Sequence, residues 1–198
     1  LLNYVQNIVI YMVLAFVYSV TAVIYPKLTE SFSRGDTDGY KSTLSGVLQS
    51  MTALLIPVSF GFISVRKPLL ELIANYGKIT DSDIEKASVL MAMYSIGILG
   101  VGLKEILDRA FYACKNTFLP AVNGFVIMAF NVTLSLILTR FMGAYGIPLA
   151  YSLSSLIGLC VLCTLLRKKV GPYAKGLGTT LVKCIVSGAV MALCVTAV

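Results

Sequence analysis

Leu103–Pro120 reads LKEILDRAFYACKNTFLP, and it carries Lys104, Glu105, Asp108, Arg109 and Lys115 between two stretches that carry no charge at all. On one side lies Ala87–Leu103, on the other Asn116–Thr139. In a soluble domain such a link would be an ordinary solvated turn. Its surroundings decide otherwise. Leu1–Pro26, Ser42–Val65, Asn116–Thr139 and Phe141–Leu166 are all uncharged, and each exceeds the ~20 residues needed to cross a hydrocarbon core. Ala87–Leu103 is shorter at 17 residues, near the lower limit for a span. Gly176–Val198 is interrupted by Lys183 near its start, where a lysine can snorkel to the interface. The pattern predicts an all-α fold, a polytopic membrane bundle of about six transmembrane helices.

Composition agrees. Hydrophobic residues make up 58% of the chain and charged residues 13%, against ~25% charged in soluble domains, and mean hydropathy is +0.87. A net charge of +7 would suggest a nucleic-acid partner in a soluble protein. In a membrane protein it is the positive-inside excess, so no nucleic acid is expected. Leu1 and Val198 both lie in apolar runs. The chain therefore reads as a single membrane domain, 1–198, taken from inside a larger transporter-sized protein.

The helices are placed at about 3–25, 41–65, 84–112, 119–140, 146–168 and 177–198, with a short surface helix at about 68–76. Pro26 is read as the end of the first helix and Pro57 as a kink in the second. Between those two helices, Arg34–Gly35–Asp36 gives a helix stop, a turn and a new N-cap. In the longest link, Pro68 opens a short helix that Gly77 ends, and Thr80-x-x-Asp83 resembles a capping box for the third helix. Gly97, Gly100 and Gly102 allow close helix approach in that third span. Asn116 or Thr117 caps the fourth. Gly146, Ala150, Ser154 and Gly158 form a small-residue ridge on the fifth, read as packing.

Polar residues within the spans are few. Asn3, Gln6 and Asn7 stand at i, i+3 and i+4 and share a face of the first helix; Gln49 lies in the second, and Asn131 and Ser135 share a face of the fourth. Amides here either bond neighbouring helices together or line a substrate cavity. Lys104 with Asp108, and Glu105 with Arg109, stand at i, i+4 and can pair along one helix.

The chemistry of an enzyme is missing. No histidine occurs, which removes the usual general base and the commonest metal ligand. No phosphate-binding glycine loop or nucleophile elbow is present. Cys160 and Cys163 imitate a CxxC pair, but with no partner pair they read as buried small hydrophobes, as do the other cysteines. The expectation is a non-enzyme with no cofactor and no metal.

Lys and Arg in alternate links set the orientation. Lys27, Arg34, Lys41, Arg109, Lys115, Arg167, Lys168, Lys169 and Lys175 fall on one side, nine residues, against Arg66, Lys67, Lys78, Lys86 and Arg140 on the other. The richer side is expected in the cytoplasm.

Several segments in order, LNYVQN, TAVIYPKLTESFSRGD, YGKITDSD, DRAFYACKNTFLP and GAYGIPLAYSLSS, make the chain resemble the MurJ/MviN family of lipid II flippases, in the multidrug/oligosaccharidyl-lipid/polysaccharide exporter superfamily. The resemblance covers most of the chain. It implies a place in the C-terminal lobe of a two-lobe alternating-access transporter, at about the eighth to thirteenth of fourteen helices, in the bacterial plasma membrane. It further implies movement of a lipid-linked peptidoglycan precursor from the inner to the outer leaflet, in cell-wall biosynthesis. The implied partners are that undecaprenyl-pyrophosphate glycan, membrane lipids and the N-terminal lobe.

By position, the resemblance makes Asn3, Gln6 and Asn7 candidates for the substrate cavity, and Gln49 is a further candidate from its polarity within a span. Asn7 departs from the family, where Arg or Lys is common. Lys104, Glu105, Asp108 and Arg109 are implied to be gating or structural. Asn131 and Ser135 fall at a possible cation site, with Ser135 where Asn or Asp is frequent. The other readings are an exporter of another lipid-linked oligosaccharide, a drug/cation antiporter of the same superfamily, or a non-transporting membrane scaffold.

Overall fold

A computed structural model of the chain describes residues 2–74, 81–173 and 176–196. Its elements are α1, Leu2–Ser33, whose residues Asn7–Tyr11 are π-helical; α2, Thr37–Ser64; α3, Arg66–Ala74; α4, Asp81–Ala113; α5, Phe118–Met142; α6, Gly146–Val170; and α7, Leu177–Thr196. Gly77 and Thr80, the expected stop of the short helix and start of the capping box, lie outside the described residues. The fold is an all-helical membrane bundle.

Among the described residues, five helical runs are long and apolar enough to cross a membrane. The fourth, Phe118–Val170, has 53 residues, which would be ~80 Å long if straight and far exceeds a ~30 Å hydrocarbon core. Gly143 resolves this. Its φ of 60° and ψ of −140° belong to a region open essentially to glycine alone. The chain reverses there, so that α5 and α6 pack as neighbours and six crossings result.

Pro26 does not end the first helix, as expected from sequence. It lies inside α1, which continues to Ser33. Proline forfeits one N–H and crowds the carbonyl four residues back, but here both Pro26 and Ala22 are exposed, so the disturbed rung faces away from the core. The stop comes at Gly35. Asp36 N donates to Ser31 O at 3.0 Å and Gly35 N to Phe32 O at 3.1 Å, the two bonds of a Schellman turn. Asp36 then caps α2 by accepting from Gly39 N at 2.8 Å. Consequently α2 begins at Thr37, earlier than the expected 41, and it passes through Pro57 without interruption. The short helix likewise opens at Arg66 instead of Pro68. At the start of α5, Thr117 holds the cap position without a side-chain bond, and Asn116 Oδ1 instead accepts from Leu119 N at 3.2 Å.

α4 is the centre of the bundle. It packs against α1, α2, α3 and α6, and 61% of its spanning stretch is buried, against 6% for α7. Its closest approach is to α6. A Cβ on Gly97 would lie 2.9 Å from the backbone of Ser152, and one on Gly100 would lie 2.9 Å from the backbone of Leu156; a side chain at either position would force the helices apart. Ser152 Oγ donates to Met93 O at 2.6 Å and Ser155 Oγ to Gly97 O at 3.4 Å, the kind of polar glue that holds apolar helices in lipid. α5 packs on the far side of α6, and α7 on α2.

The basic end, where α1, α4 and α6 finish, is tied by one buried cluster. Tyr40 is fully buried. Its hydroxyl donates to Ala110 O at 2.8 Å and accepts from the Cys114 thiol at 3.3 Å, while Lys169 Nζ donates to Cys114 O at 3.4 Å. These bonds join α2, α4 and α6, and Phe32 of α1 packs edge-on against the Tyr40 ring at 6.0 Å. Cys114 fits the expectation of a buried small hydrophobe, but Cys160 and Cys194 do not: both are exposed. They sit on outward helix faces, where apolar character is what lipid or further protein requires.

Candidate functional site

α1 and α5 stand on either side of a notch floored by α4 and α6. It encloses a cavity of ≈320 Å³ whose lining includes Tyr18, Lys104, Glu105, Asn131, Tyr151 and Ser154. Tyr18 lies near the middle of α1 and Asn131 near the middle of α5. Lys104 lies nine residues before the end of α4, ~14 Å along the axis. By Tyr18 and Asn131 the notch falls within the spanning stretches of α1 and α5, while Lys104 stands at the end of the uncharged run of α4, Ala87–Leu103.

The charged stretch of α4 reaches this notch. Lys104 Nζ pairs with Asp108 Oδ2 at 2.5 Å, and Arg109 Nη2 pairs with Glu105 Oε1 at 3.1 Å. The i, i+4 pairs expected from sequence are thus formed. Asp108 is buried, with Oδ1 lacking a hydrogen-bond partner among the described residues. α4 runs through the bundle centre, so a position near its end is still enclosed by α2 and α6. Arg109 also lies over the Tyr112 ring at 5.9 Å. The four charges sum to zero.

Asn131 and Ser135 share a face of α5, but they do not act as a pair. Asn131 Nδ2 donates across to Ser154 Oγ at 3.3 Å, while Ser135 O accepts from its own helix neighbour Thr139 and does not line the notch. Ser154, read from sequence as packing only, is thus both a hydrogen-bond partner and part of the lining. Asn123 serves as helix glue, donating to Gly158 O at 3.3 Å.

The amides of α1 divide. Asn3 and Asn7 are exposed and Gln6 is half-buried, all nearer the end opposite the basic one than the notch is. Gln49 is not brought to them. It lines a separate cavity of ≈590 Å³ near the basic end with Lys41, Ser45 and Tyr173, and its Nε2 donates to Ser45 Oγ at 3.3 Å. Burial pushes the Tyr173 phenol above its usual range.

The tyrosines were not among the sequence candidates. Tyr4, Tyr11, Tyr18 and Tyr25 recur every seven residues in α1, and all four are exposed. Tyr18 and Tyr151 of α6 both line the notch, and Tyr151 packs edge-on against Tyr94 at 5.8 Å. The spacing was visible in the sequence; the convergence with α6 was not. The π-helical turn Asn7–Tyr11 falls between Tyr4 and Tyr11 of this row, and it places the adjacent residues Val9 and Ile10 both in the core. Such turns are frequent at functional positions.

Comparison with known proteins gives these features a family. The family described as Lipid II flippase MurJ matches residues 1–198. A probable lipid II flippase MurJ of Vibrio cholerae is 30% identical over 144 residues, 73% of this chain and 27% of that protein. One of Thermotoga maritima is 33% identical over 134 residues, 68% of this chain and 28% of that protein. The chain thus spans less than a third of these relatives. A solved structure titled "Lipid II flippase MurJ, inward closed conformation" shares the fold, with a TM-score of 0.82 over 97% of this chain and 39% of the other, at 23% identity. With its whole length matched, the chain belongs to the lipid II flippase MurJ family.

Proposed function

We propose that the full-length protein is a multi-pass flippase of the bacterial plasma membrane. It moves lipid II, the lipid-linked peptidoglycan precursor, from the inner to the outer leaflet for cell-wall synthesis. This chain supplies part of one lobe, and the remainder of the protein, the undecaprenyl-pyrophosphate glycan and membrane lipids are its partners. The observation that supports this reading is the notch within the bundle, whose lining sets Lys104, Glu105, Asn131 and Ser154 among apolar Leu14, Val101, Ile127 and Met128. Ionisable groups at such depth are costly unless they face protein or a water-filled path, which is what a polar headgroup needs to cross. No covalent step is involved.

In this reading the end bearing Arg34, Lys115 and Lys168 faces the cytoplasm. Asn3, Gln6 and Asn7 line the wider cavity shared with the rest of the protein. Lys104, Glu105, Asp108 and Arg109 hold or gate the cytoplasmic half of α4, and Gln49 belongs to a separate cytoplasmic-side cavity. Asn131 retains a polar role at the notch; Ser135 is a weaker partner for any cation. Arg109→Ala is expected to leave lipid II binding intact while transport falls, and a selective loss of binding in well-folded protein would refute the gating role.

The decisive experiment is complementation. The full-length protein should restore growth when a resident lipid II flippase is depleted, and failure despite normal expression and insertion would overturn the reading. One observation favours a second cargo: Asn7 is exposed and uncharged, and the notch charges cancel. Transport assays in vesicles comparing lipid II with other undecaprenyl-linked glycans separate an exporter of another lipid-linked oligosaccharide from a lipid II flippase.

A further inference from the structure

We propose that Tyr18 and Tyr151, flanked by Tyr11, form an aromatic cradle for one sugar ring of the cargo, so that the notch reads the neutral glycan and not the pyrophosphate. This rests on the reading that the cargo is a lipid-linked glycan.

The first argument is exposure at depth. Tyr11, Tyr18 and Tyr25 are 58%, 47% and 37% exposed, and they lie on one face because residues seven apart return to within ~20° of each other in an α-helix. The row extends ~21 Å along the axis, most of a ~30 Å hydrocarbon core. Tyrosine in contact with lipid belongs at the interface, where its hydroxyl stays wet. A row carried through the interior needs water, protein or ligand against it.

The second argument is charge. Lys104 is paired with Asp108 at 2.5 Å and Arg109 with Glu105 at 3.1 Å, so the local charge is balanced and a phosphate would compete with a carboxylate for either cation. Strong phosphate contacts require such a cation. The other polar groups of the lining are neutral, namely the Asn131 amide, the Ser154 and Ser155 hydroxyls and the tyrosine hydroxyls, set among apolar Leu14, Val101, Ile127 and Met128.

The third argument is shape. A pyranose has apolar C–H faces and a hydroxyl rim. Tyrosine offers the matching pair, an apolar ring face and a polar tip, at low conformational cost. Tyr151 is further fixed by its edge-on contact with buried Tyr94. The ≈320 Å³ cavity lies at the small end of the ~300–1,000 Å³ range of ligand sites, which suits one ring better than an extended glycopeptide. The cradle would thus set specificity for the sugar end of the cargo, leaving pyrophosphate contacts to cations elsewhere in the protein.

The test uses the full-length protein in detergent or nanodiscs and two probes, lipid II and undecaprenyl pyrophosphate without sugar. Tyr18→Leu and Tyr151→Leu are expected to weaken lipid II binding about tenfold and to leave binding of the sugar-free lipid unchanged. Tyr18→Phe, which keeps the ring, should retain most of the affinity and guards against a folding defect. Equal losses for both probes, or no loss for either, in variants with wild-type thermal stability would overturn the cradle while leaving the flippase reading in place. The second of those outcomes is also what a tyrosine row covered by the rest of the protein would give. Wild-type protein that binds sugar-free lipid as tightly as lipid II would also overturn the cradle. Wild-type protein that binds no lipid-linked glycan at all would overturn both.

Discussion

The basic end of the bundle and the outward face of α1 both carry polar side chains in a strongly apolar molecule, and they treat them in opposite ways. At the basic end, Tyr40, Cys114 and Lys169 are bonded to one another or to backbone carbonyls, and Tyr40 is sealed from outside. Along α1, Asn3, Asn7, Tyr11 and Tyr18 point outward from the described bundle. A polar group that is buried and satisfied contributes to architecture, because removing its partner exposes a desolvation cost. A polar group presented outward from a spanning helix is available to a cargo, to water or to another part of the protein. The difference separates residues that hold this lobe together from residues that meet something else.

That division makes ordered predictions. Tyr40→Ala should be the most damaging, at about 3–5 kcal/mol for loss of a buried aromatic, and Tyr40→Phe should cost about 1 kcal/mol by removing the hydroxyl's bonds to Ala110 O and the Cys114 thiol, Ala110 O keeping the Cys114 N–H. Thermal unfolding of the full-length protein in detergent measures both; unchanged midpoints would mean that the knot is not structural. Gly97→Val should cost about 1–3 kcal/mol, because its Cβ would meet the Ser152 backbone at 2.9 Å, and it should lower transport by widening the floor of the notch. Wild-type stability and transport together would show that α4 and α6 tolerate separation.

Asn131→Ala removes a single interhelical bond to Ser154, expected to be worth about 0.6 kcal/mol in a membrane bundle, with a clearer effect on transport than on unfolding. Asn7→Ala should change stability by less than about 0.5 kcal/mol, as for exposed positions generally, while reducing transport. If Asn7→Ala destabilised as much as Tyr40→Phe, the contrast between the two regions would collapse.

Much of the fold was legible because lipid imposes simple demands. Uncharged runs longer than a membrane crossing, separated by Arg34–Gly35–Asp36 and by the charged link at Leu103–Pro120, already specify an all-helical bundle, and the i, i+4 pairs of α4 follow from helical geometry alone. Pro26 misled because proline breaks a helix only where its lost hydrogen bond cannot be tolerated, and the exposed side of a long helix tolerates it. The candidate site was legible only in part. Asn131, Lys104 and Glu105 stood out as polar residues beside apolar runs, while Ser154 was hidden in a packing ridge and the tyrosines in ordinary aromatic content.

The sequence by itself determined that this chain crosses a membrane as a set of helices and where most of those helices turn, since hydropathy, charge and capping are local properties. Only the tertiary structure decided that α4 is the central helix, that its charged stretch reaches a notch between α1 and α5, and that Tyr18, Asn131, Tyr151 and Ser154 share that notch. Those residues come from α1 and, far from it in sequence, from the neighbouring helices α5 and α6, and their meeting depends on how these helices pack around α4, which approaches α6 closely at Gly97 and Gly100. Close packing is a property of surfaces in contact, and no single segment contains it.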